Sequence, residues 1–381
     1  MKKKRKVQLY QLGMEQFNKC IRGKVIMGEG FKSKLHETTI KFPQTEIWND
    51  SCAISELKYS IDNGSVGATT NPVIVNQVLK QEFSAWKPLI KKLSIDNKAA
   101  TEDEIAWLLM DYIGTESSKL LLPIFEKNSG RNGRLSMQTN PKYYLNAEKM
   151  LSQAKHFNTL APNIQVKIPA SGAGIKAIEE AIYNGVSINA TVSFTVSQAI
   201  AVAEAVERGL NRRENEGLSN DNISAICTIM LGRVDDYLKN HCSENNIVVD
   251  PDILEWAGVA VVKNAYKVFN ERNYRTGLLT AAYRNHYHWS QFIGGNISMT
   301  IPYKWQVKLN NSSVEVIERI NEPVNEEILN KLMSLDEFRK AYDINALTIE
   351  EFQNYGAFKA TINQFLNGYD ELIKQIRSVI I

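Results

Sequence analysis

One lysine of the 381-residue chain stands where a charged side chain is unusual. Lys167 lies within the short run Val166-Lys167-Ile168-Pro169, which is typical of a buried strand. Because burial penalises the ammonium form, such a lysine loses its proton readily, and the neutral amine can form a Schiff base with a ketone. The alternative is a lysine that reaches solvent at a strand end or is held in an ion pair, and this strand alone favours that alternative.

Polar residues also stand at the ends of other predicted strands, and each has a chemical and a structural interpretation. Asp50 could act as a general base on a substrate hydroxyl, or could cap the next helix. Asn71 and Asn189 could bind substrate hydroxyls, or could be turn residues, which is the more frequent role before proline. Arg233 and Arg284 could grip a phosphate, although Arg233 precedes two aspartates that would pair with it. The candidate site residues are Asp50, Asn71, Gln138, Lys167, Asn189, Thr191, Thr228, Arg233 and Arg284.

Other residues that often carry chemistry form no recognisable motif. The histidines have no HExxH or other metal-binding spacing, and the sequence contains neither a Walker loop nor GxGxxG. The glycine-bearing stretch Ser171-Gly172-Ala173-Gly174 is better explained as a strand–helix connection than as a nucleotide site. Cys52 has no histidine in a motif beside it, which favours a structural role. We therefore expect no metal and no cofactor.

Short strand-like segments alternate along the chain with segments whose apolar residues recur at helical spacing. This alternation predicts a parallel sheet with right-handed crossovers, and eight repeats predict a closed TIM-type (β/α)8 barrel. Active residues of such barrels lie at the carboxyl ends of the strands, where the candidate residues stand. The predicted strands are Glu46–Asp50, Ser65–Asn71, Gly133–Thr139, Gln165–Pro169, Ser187–Phe194, Ile223–Met230, Gly277–Tyr283 and Asn296–Ile301.

The chain divides into three predicted parts: an N-terminal arm (1–45), the catalytic barrel (46–302, with a long insert near 95–130) and a C-terminal helical segment (303–381) packed on the barrel. In the last part, Thr348 followed by Glu351 is a capping-box pattern that predicts a helix start. We expect the following helix to dock on the barrel wall rather than to form a lid, because one apolar stripe runs along it. The stripe comprises Phe358, Ile362, Phe365, Tyr369, Leu372 and Ile376.

Composition indicates an ordinary soluble globular protein, with 44% hydrophobic and 23% charged residues. Lys plus Arg number 45 against 42 Asp plus Glu, which gives no support for a nucleic-acid or membrane partner. The basic run Lys2-Lys3-Lys4-Arg5-Lys6-Val7 could be a nuclear-localisation patch, but a solvated tail is favoured, and the polar residues after it argue against a signal peptide. The four cysteines form no CxxC, which favours reduced thiols in the cytoplasm.

From about residue 46 onward the chain resembles the transaldolases, class I aldolase-type β/α barrels that move a dihydroxyacetone unit between sugar phosphates. The helix through Ala203-Glu204-Ala205 fits this resemblance, and the segment from Glu337 to Tyr369 is similar to the C-terminal part of the longer bacterial members. The motifs that carry the resemblance are Gly67-Ala68-Thr69-Thr70-Asn71-Pro72, Val166-Lys167-Ile168-Pro169-Ala170-Ser171, Ile188-Asn189-Ala190-Thr191-Val192-Ser193-Phe194, Leu231-Gly232-Arg233-Val234-Asp235 and Ala281-Ala282-Tyr283-Arg284-Asn285.

This resemblance implies a transferase of carbohydrate metabolism, in the pentose phosphate pathway, that acts through a lysine Schiff base. It implies Lys167 as the Schiff-base lysine and Asp50 as the acid/base on the C–C bond. The expected partner is a sugar phosphate, with no nucleic acid and no membrane, and a homodimer is compatible with the resemblance. It implies Asn71 and Asn189 as contacts to the substrate hydroxyls and the amine, and Thr228 as part of the pocket wall. It implies Arg233 and Arg284 as the phosphate-binding residues.

The third-strand motif departs from the transaldolase pattern. Transaldolases carry there a glutamate that works through a water, which Thr191 would help to hold. Here the motif, Leu135–Pro141, contains Gln138, which can orient a water but cannot take its proton. The related fructose 6-phosphate aldolases also have glutamine but add a tyrosine on the sixth strand, where this chain has Met230. Three outcomes remain open: transaldolase-like transfer, an aldolase that releases free dihydroxyacetone or hydroxyacetone, and a sugar-phosphate-binding barrel with altered catalysis.

Overall fold

The computed structural model describes residues 30–381, in which eight parallel strands form a closed barrel in chain order. The barrel closes where the first strand pairs with the last, from Thr45 opposite Ile297 to Asn49 opposite Ile301. The predicted (β/α)8 fold is confirmed, whereas the basic run at residues 2–7 and Cys20 lie outside the described residues. The strands are β1 (Thr45–Asp50), β2 (Gly67–Thr69), β3 (Arg134–Gln138), β4 (Ile164–Pro169), β5 (Ile188–Ser193), β6 (Ala225–Ile229), β7 (Gly277–Thr280) and β8 (Ile297–Ile301).

Helices surround the barrel and follow each strand, as the apolar spacing predicts. Within residues 30–381, no helix combines the length and the apolarity needed to cross a membrane. Two short 3-10 helices span Pro141–Tyr143 and Phe352–Asn354. The α-helices are α1 (Lys34–Lys41), α2 (Ile54–Asp62), α3 (Pro72–Gln81), α4 (Phe83–Asp96), α5 (Glu102–Lys127), α6 (Ala147–Asn158), α7 (Gly172–Tyr183), α8 (Val196–Asn215), α9 (Leu231–Glu244), α10 (Pro251–Leu254), α11 (Ala257–Glu271), α12 (Tyr287–Ser290), α13 (Tyr303–Asn310), α14 (Glu326–Met333), α15 (Asp336–Tyr342) and α16 (Gly356–Ile380).

Six of the eight strands are shorter than the sequence predicts, and the early ends of β2 and β7 have clear physical causes. β2 ends at Thr69 because the next segment starts a helix: the Asn71 side chain accepts a hydrogen bond from the Ile74 N–H at 3.0 Å and caps α3. β7 ends at Thr280, since Ala282 has a φ of 68°, in the left-handed region that interrupts extended backbone. Both strands end next to candidate site residues, so these deviations shape the rim of the barrel.

The insert predicted near residues 95–130 consists of helix, with α5 as its main element. α5 begins at a capping box, in which Thr101 Oγ1 accepts from the Glu104 N–H and the Glu104 carboxylate accepts from the Thr101 N–H. One face is buried, including Leu109, Ile113 and Leu121. α5 packs on β3, α4 and α16, so the insert thickens the barrel wall on this side.

The C-terminal helix α16 starts later than predicted. The Thr348 N–H does donate to the Glu351 carboxylate at 2.9 Å, but this bond closes only a turn. The following residues form a 3-10 helix, because the Phe352 and Tyr355 side chains are buried and Tyr355 holds extended backbone. α16 therefore begins at Gly356. It buries the whole predicted apolar stripe and packs on α3, α4, α5 and α9.

Candidate active site

Lys167 lies in the barrel interior, towards the carboxyl end of β4. Its backbone is in register with Gln138 of β3 on one side and with Asn189 of β5 on the other. The residue is only 4% exposed, so its side chain does not reach out to solvent. Burial lowers the pKa of the Lys167 amine, and the negative charge of Asp50 acts in the opposite direction. The environment therefore favours a neutral amine more than solvent would.

Asp50 ends β1 and faces the same interior. Its Oδ1 accepts a hydrogen bond from Thr69 Oγ1 at 2.7 Å, and that hydroxyl is also 2.7 Å from Thr300 Oγ1. Removal from water raises the pKa of the Asp50 carboxyl, while Lys167, the Thr69 hydroxyl and Arg233 lower it. The alternative role as a helix cap does not apply, because α2 follows Ala53 without a side-chain cap. The carboxylate is thus oriented by Thr69 and lies within electrostatic reach of the lysine.

Strands β3, β5 and β6 contribute a hydrogen-bonded polar row beside the lysine. Asn189 Oδ1 accepts from Thr228 Oγ1 at 2.6 Å, and Asn189 Nδ2 donates to Ser136 Oγ at 3.1 Å. These bonds use one acceptor site and one N–H of the asparagine and fix the orientation of its amide. Asn189 can present its second N–H to a ligand in a defined direction.

Two buried polar atoms near Lys167, Gln138 Oε1 and Thr191 Oγ1, have no hydrogen-bond partner among residues 30–381. Gln138 is the register neighbour of Lys167 on β3, and Thr191 pairs with Pro169 at the end of β4. Buried polar groups normally have partners, so these two atoms mark positions where a ligand group can bind. The backbone helps to place Thr191, because Val192 has a φ of 52° and the β5–β6 register shifts between Ala190 and Ser193.

Asn71 has the structural role that its place before proline suggests. Its Oδ1 is engaged as the cap of α3, which leaves its amide nitrogen for other contacts. The residue is buried at the rim of the barrel. Capping and substrate binding are compatible, because they use different atoms of the side chain.

Arg233 lies in the first turn of α9, directly after β6. The pKa of its guanidinium is lowered to about 10, chiefly by burial and also by the charge of Arg284, while Asp236 and Asp50 act in the opposite direction. Its Nη1 donates to Gln364 of α16, while its buried Nε has no partner within residues 30–381. Neither neighbouring aspartate forms the salt bridge considered as an alternative, since Asp235 pairs with His288 and Asp236 with Arg284. An anion can therefore bind a free N–H of Arg233.

A glycine allows the two arginines to approach each other. A Cβ placed on Gly232 would lie 1.8 Å from the carbonyl oxygen of Ala282 and 2.9 Å from Cγ of Arg284. Only glycine fits such a contact between the β6–α9 turn and the loop after β7. The first turn of α9, which carries Arg233, therefore packs against the loop that carries Arg284 at the carboxyl rim.

The C-terminal helix also reaches this rim. The Arg233 guanidinium is 5.8 Å from the ring centre of Phe365, next to its bond with Gln364. Further along, a Cβ on Gly368 would lie 2.6 Å from the side chain of Val73, just beyond β2. The helix thus packs on the wall helices and at the same time touches a candidate phosphate-binding residue.

Sequence reasoning assigned no role to Tyr283, Thr69 or Thr300, which the structure places in or next to the site. Tyr283 is buried, and its hydroxyl shares a 3.1 Å hydrogen bond with Thr280 Oγ1. Burial raises the pKa of this phenol, the Thr280 bond lowers it, and the charge of Asp50 raises it. Strand alternation could have found Thr69, but Tyr283 lies beyond the end of β7, where alternation no longer applies.

Comparison with known proteins finds relatives over part of the chain. Transaldolases of three bacteria align with part of the chain: 26% identity over 208 residues for transaldolase 1 of Streptomyces avermitilis (54% of either chain), 27% over 216 residues for Thiobacillus denitrificans (56% of this chain, 59% of the relative), and 28% over 229 residues for Mycobacterium bovis (59% and 61%). The alignments therefore span between about half and three fifths of these relatives. The family model described as transaldolase/fructose-6-phosphate aldolase matches residues 47–376. On this match over most of its length, the chain belongs to the transaldolase/fructose-6-phosphate aldolase family.

Proposed function

We propose that the protein is a transaldolase-like transferase, which moves a dihydroxyacetone unit between sugar phosphates through a Schiff base on Lys167. The observation that carries the proposal is that one barrel interior holds both the buried Lys167 and Asp50, whose carboxylate is oriented by the Thr69 hydroxyl. Arg233 and Arg284 at the rim supply positive charge for a phosphate. A phosphorylated ketose would place the enzyme in cytoplasmic carbohydrate metabolism, in the pentose phosphate pathway.

The proposed chemistry uses the two interior groups in sequence. The neutral amine of Lys167 attacks the C2 carbonyl of a ketose phosphate, and loss of water from the carbinolamine leaves an iminium. Asp50 takes the proton of the C4 hydroxyl, the C3–C4 bond breaks, and its electron pair moves into the iminium to form an enamine while an aldose phosphate leaves. Attack of the enamine on a second aldehyde, followed by hydrolysis, completes the transfer and frees Lys167.

An aldolase that releases free dihydroxyacetone is the second candidate, and Gln138 favours it. Its amide can orient a water or carbinolamine hydroxyl through the unpartnered Oε1 and its N–H groups, together with Thr191, but it cannot exchange a proton. In this version the enamine is protonated and hydrolysed without an acceptor. A barrel that binds sugar phosphates with little catalysis is the third candidate; the buried Lys167 argues against it, because a buried amine is costly to keep without a use.

Borohydride trapping tests the proposal. The protein is incubated with fructose 6-phosphate, with and without an aldose phosphate acceptor, then reduced and mapped by peptide mass, while products are followed in parallel samples. Transfer predicts a three-carbon adduct on Lys167 and a new ketose phosphate only when acceptor is present. Free dihydroxyacetone without acceptor would indicate the aldolase. Absence of an adduct with every ketose tried would overturn the Schiff-base mechanism, and Lys167→Met is the matched control.

A further inference from the structure

A buried hydrogen-bonded pair lies behind the rim, outside the barrel interior. Asp235 of α9 and His288 of α12 are both fully buried, with Oδ2 and Nε2 2.8 Å apart. The other oxygen of the carboxylate, Oδ1, accepts from the backbone N–H of Gly258 at the start of α11 at 2.8 Å. The pair thus joins α9, α11 and the loop that follows β7.

The second ring nitrogen of His288 binds the main chain of a candidate phosphate-binding residue. Nδ1 lies 3.1 Å from the backbone nitrogen of Arg284, and it must act as the acceptor because that nitrogen carries a hydrogen. Nε2 then carries the proton and donates to Asp235. The carboxylate therefore fixes the tautomer and the orientation of the ring that holds Arg284.

The loop that carries Arg284 has an unfavourable backbone conformation, which the contact with His288 stabilises. Ala282 adopts a φ of 68°, which is unfavourable for a residue with a side chain, and its carbonyl lies against Gly232. A second residue of the loop, Asn285, donates to Glu255 on the other side. The Arg284 side chain is meanwhile bound to Asp236 of α9. Its main chain and its side chain are thus both tied to α9, the helix whose first turn carries Arg233.

We propose that Asp235 and His288 are positioning residues that hold Arg284 beside Arg233, so that the two guanidiniums form one dianion site. The inference deepens the proposed function and rests on it where the dianion is taken to be the phosphate of the sugar. The desolvation of a buried carboxylate offsets much of what its hydrogen bonds contribute, so this pair adds little net stability. What the Asp235–His288 pair contributes here is a fixed position for the main chain of the loop after β7, which carries Arg284.

Two amide substitutions of His288 separate the two contacts of its ring. The oxygen of asparagine falls near the position of Nδ1 and can still accept the Arg284 N–H, but it does not reach Asp235. The longer glutamine side chain reaches Asp235 but leaves the Arg284 N–H without an acceptor. We compare His288→Asn and His288→Gln by calorimetric titration with inorganic phosphate, by kcat and KM on phosphorylated and unphosphorylated ketoses, and by melting temperature.

The positioning role predicts that, of the two variants, the one with the weaker phosphate binding has the higher melting temperature. His288→Gln should weaken phosphate binding and raise KM for phosphorylated ketoses roughly tenfold, the effect of one hydrogen bond, with a much smaller change in kcat. His288→Asn should change the phosphate affinity and the KM by no more than about twofold from the wild type. It should have the lower melting temperature of the two variants, because it leaves Asp235 without its partner. Equal affinities for the two variants, or an equal KM increase for unphosphorylated ketoses, would overturn the inference. If His288→Gln fails to fold, Asp235→Asn replaces it, with a rise in KM expected and an unchanged KM counting against the inference.

Failure of this inference is distinguishable from failure of the proposed function. If the wild type forms no adduct on Lys167 but binds phosphate, and His288→Gln weakens that binding, the proposed function falls and the positioning role stands. If the adduct forms and Arg284→Met weakens phosphate binding while His288→Gln does not, the proposed function stands and the positioning role falls.

Discussion

Asp236 binds the guanidinium of Arg284 in a fork, with Nε 3.0 Å from either carboxylate oxygen and Nη2 2.6 Å from Oδ2. Most of the donors of this arginine are therefore already in use, and its Nη1 donates to the carbonyl of Tyr283. Arg233, by contrast, retains a buried Nε that has no partner in the described part of the chain. The two arginines of the rim differ in how much binding capacity each can offer to an anion.

We therefore predict that Arg233→Gln weakens phosphate binding more than Arg284→Gln does. The Arg233 guanidinium is buried and can form stronger hydrogen bonds with an anion. The Arg284 guanidinium is already neutralised by a carboxylate and partly exposed to water, so an anion adds less there. Charged hydrogen bonds contribute about 1.5–3 kcal/mol each, so we expect a KM increase for phosphorylated ketoses of roughly tenfold or more for Arg233→Gln. Steady-state kinetics with phosphorylated and unphosphorylated donors measure this. A larger effect at Arg284, or equal losses on unphosphorylated donors, would contradict the assignment.

The pH dependence of adduct formation should report the environment of Lys167. Since burial lowers the pKa of the amine, the neutral nucleophile forms at lower pH than in an exposed lysine, and trapping with dihydroxyacetone should level off below the ordinary lysine pKa. Asp50 opposes this shift, so Asp50→Asn should move the trapping profile to still lower pH. The same variant should lose C–C cleavage, because its amide cannot take a proton. A profile that moves to higher pH in Asp50→Asn would refute the coupling of the two groups.

Gly232→Ala should separate the two rim loops. The new Cβ would meet the Ala282 carbonyl at 1.8 Å, and relief of such a clash typically costs about 1–3 kcal/mol of unfolding free energy. We also expect KM for phosphorylated donors to rise, because Arg284 moves away from Arg233. Gly277→Ala is the matched control on β7, since its Cβ would have only ordinary contacts at 3.8 Å. Denaturant titration and kinetics of both variants check this, and equal stabilities would show that the loop accommodates the methyl group.

Strand alternation and the barrel rule were enough to predict the fold and to bring Lys167, Asp50 and Asn189 to one end of the barrel. They work because side-chain direction in a strand follows from position alone. The pairing of Asp235 with His288 could not be predicted in the same way. Asp235 lies on α9 and His288 on α12, and their contact depends on tertiary packing that no local sequence pattern specifies.

The predicted start of the C-terminal helix is wrong, because side-chain burial overrides the local capping signal there. Thr348 and Glu351 form the predicted capping hydrogen bond, yet the helix starts at Gly356, because burying Phe352 and Tyr355 requires a different backbone. Likewise, the aspartates after Arg233 suggested a salt bridge with it, but the helix directs them to His288 and Arg284. Proximity in sequence is a weak guide to partners when several elements compete for the same charge.

Gln138 provides the sharpest test of reaction type. Formation and hydrolysis of a Schiff base move a proton on and off a water or carbinolamine, and a positioned acid/base for such a step contributes about 10²–10⁴-fold. Gln138 and Thr191 offer unpartnered polar atoms beside Lys167 but no proton, and Met230 adds none. We predict that the wild type forms the Lys167 adduct but turns over common transaldolase donors slowly.

Gln138→Glu should then accelerate those donors by roughly tenfold or more, because a carboxyl group restores the proton relay in the same position. Steady-state rates of both forms on the same donors, with and without acceptor, measure the change. Gln138→Met serves as the control, since it keeps the length of the side chain but can neither orient a water nor exchange a proton. A wild type that is already fast, together with a slower Gln138→Glu variant, would show instead that the glutamine is adapted to a different substrate or to aldol cleavage, with another group carrying the proton. Tyr283, whose buried hydroxyl is hydrogen-bonded to Thr280 Oγ1 at the end of β7, would be the first group to test in that case, by Tyr283→Phe.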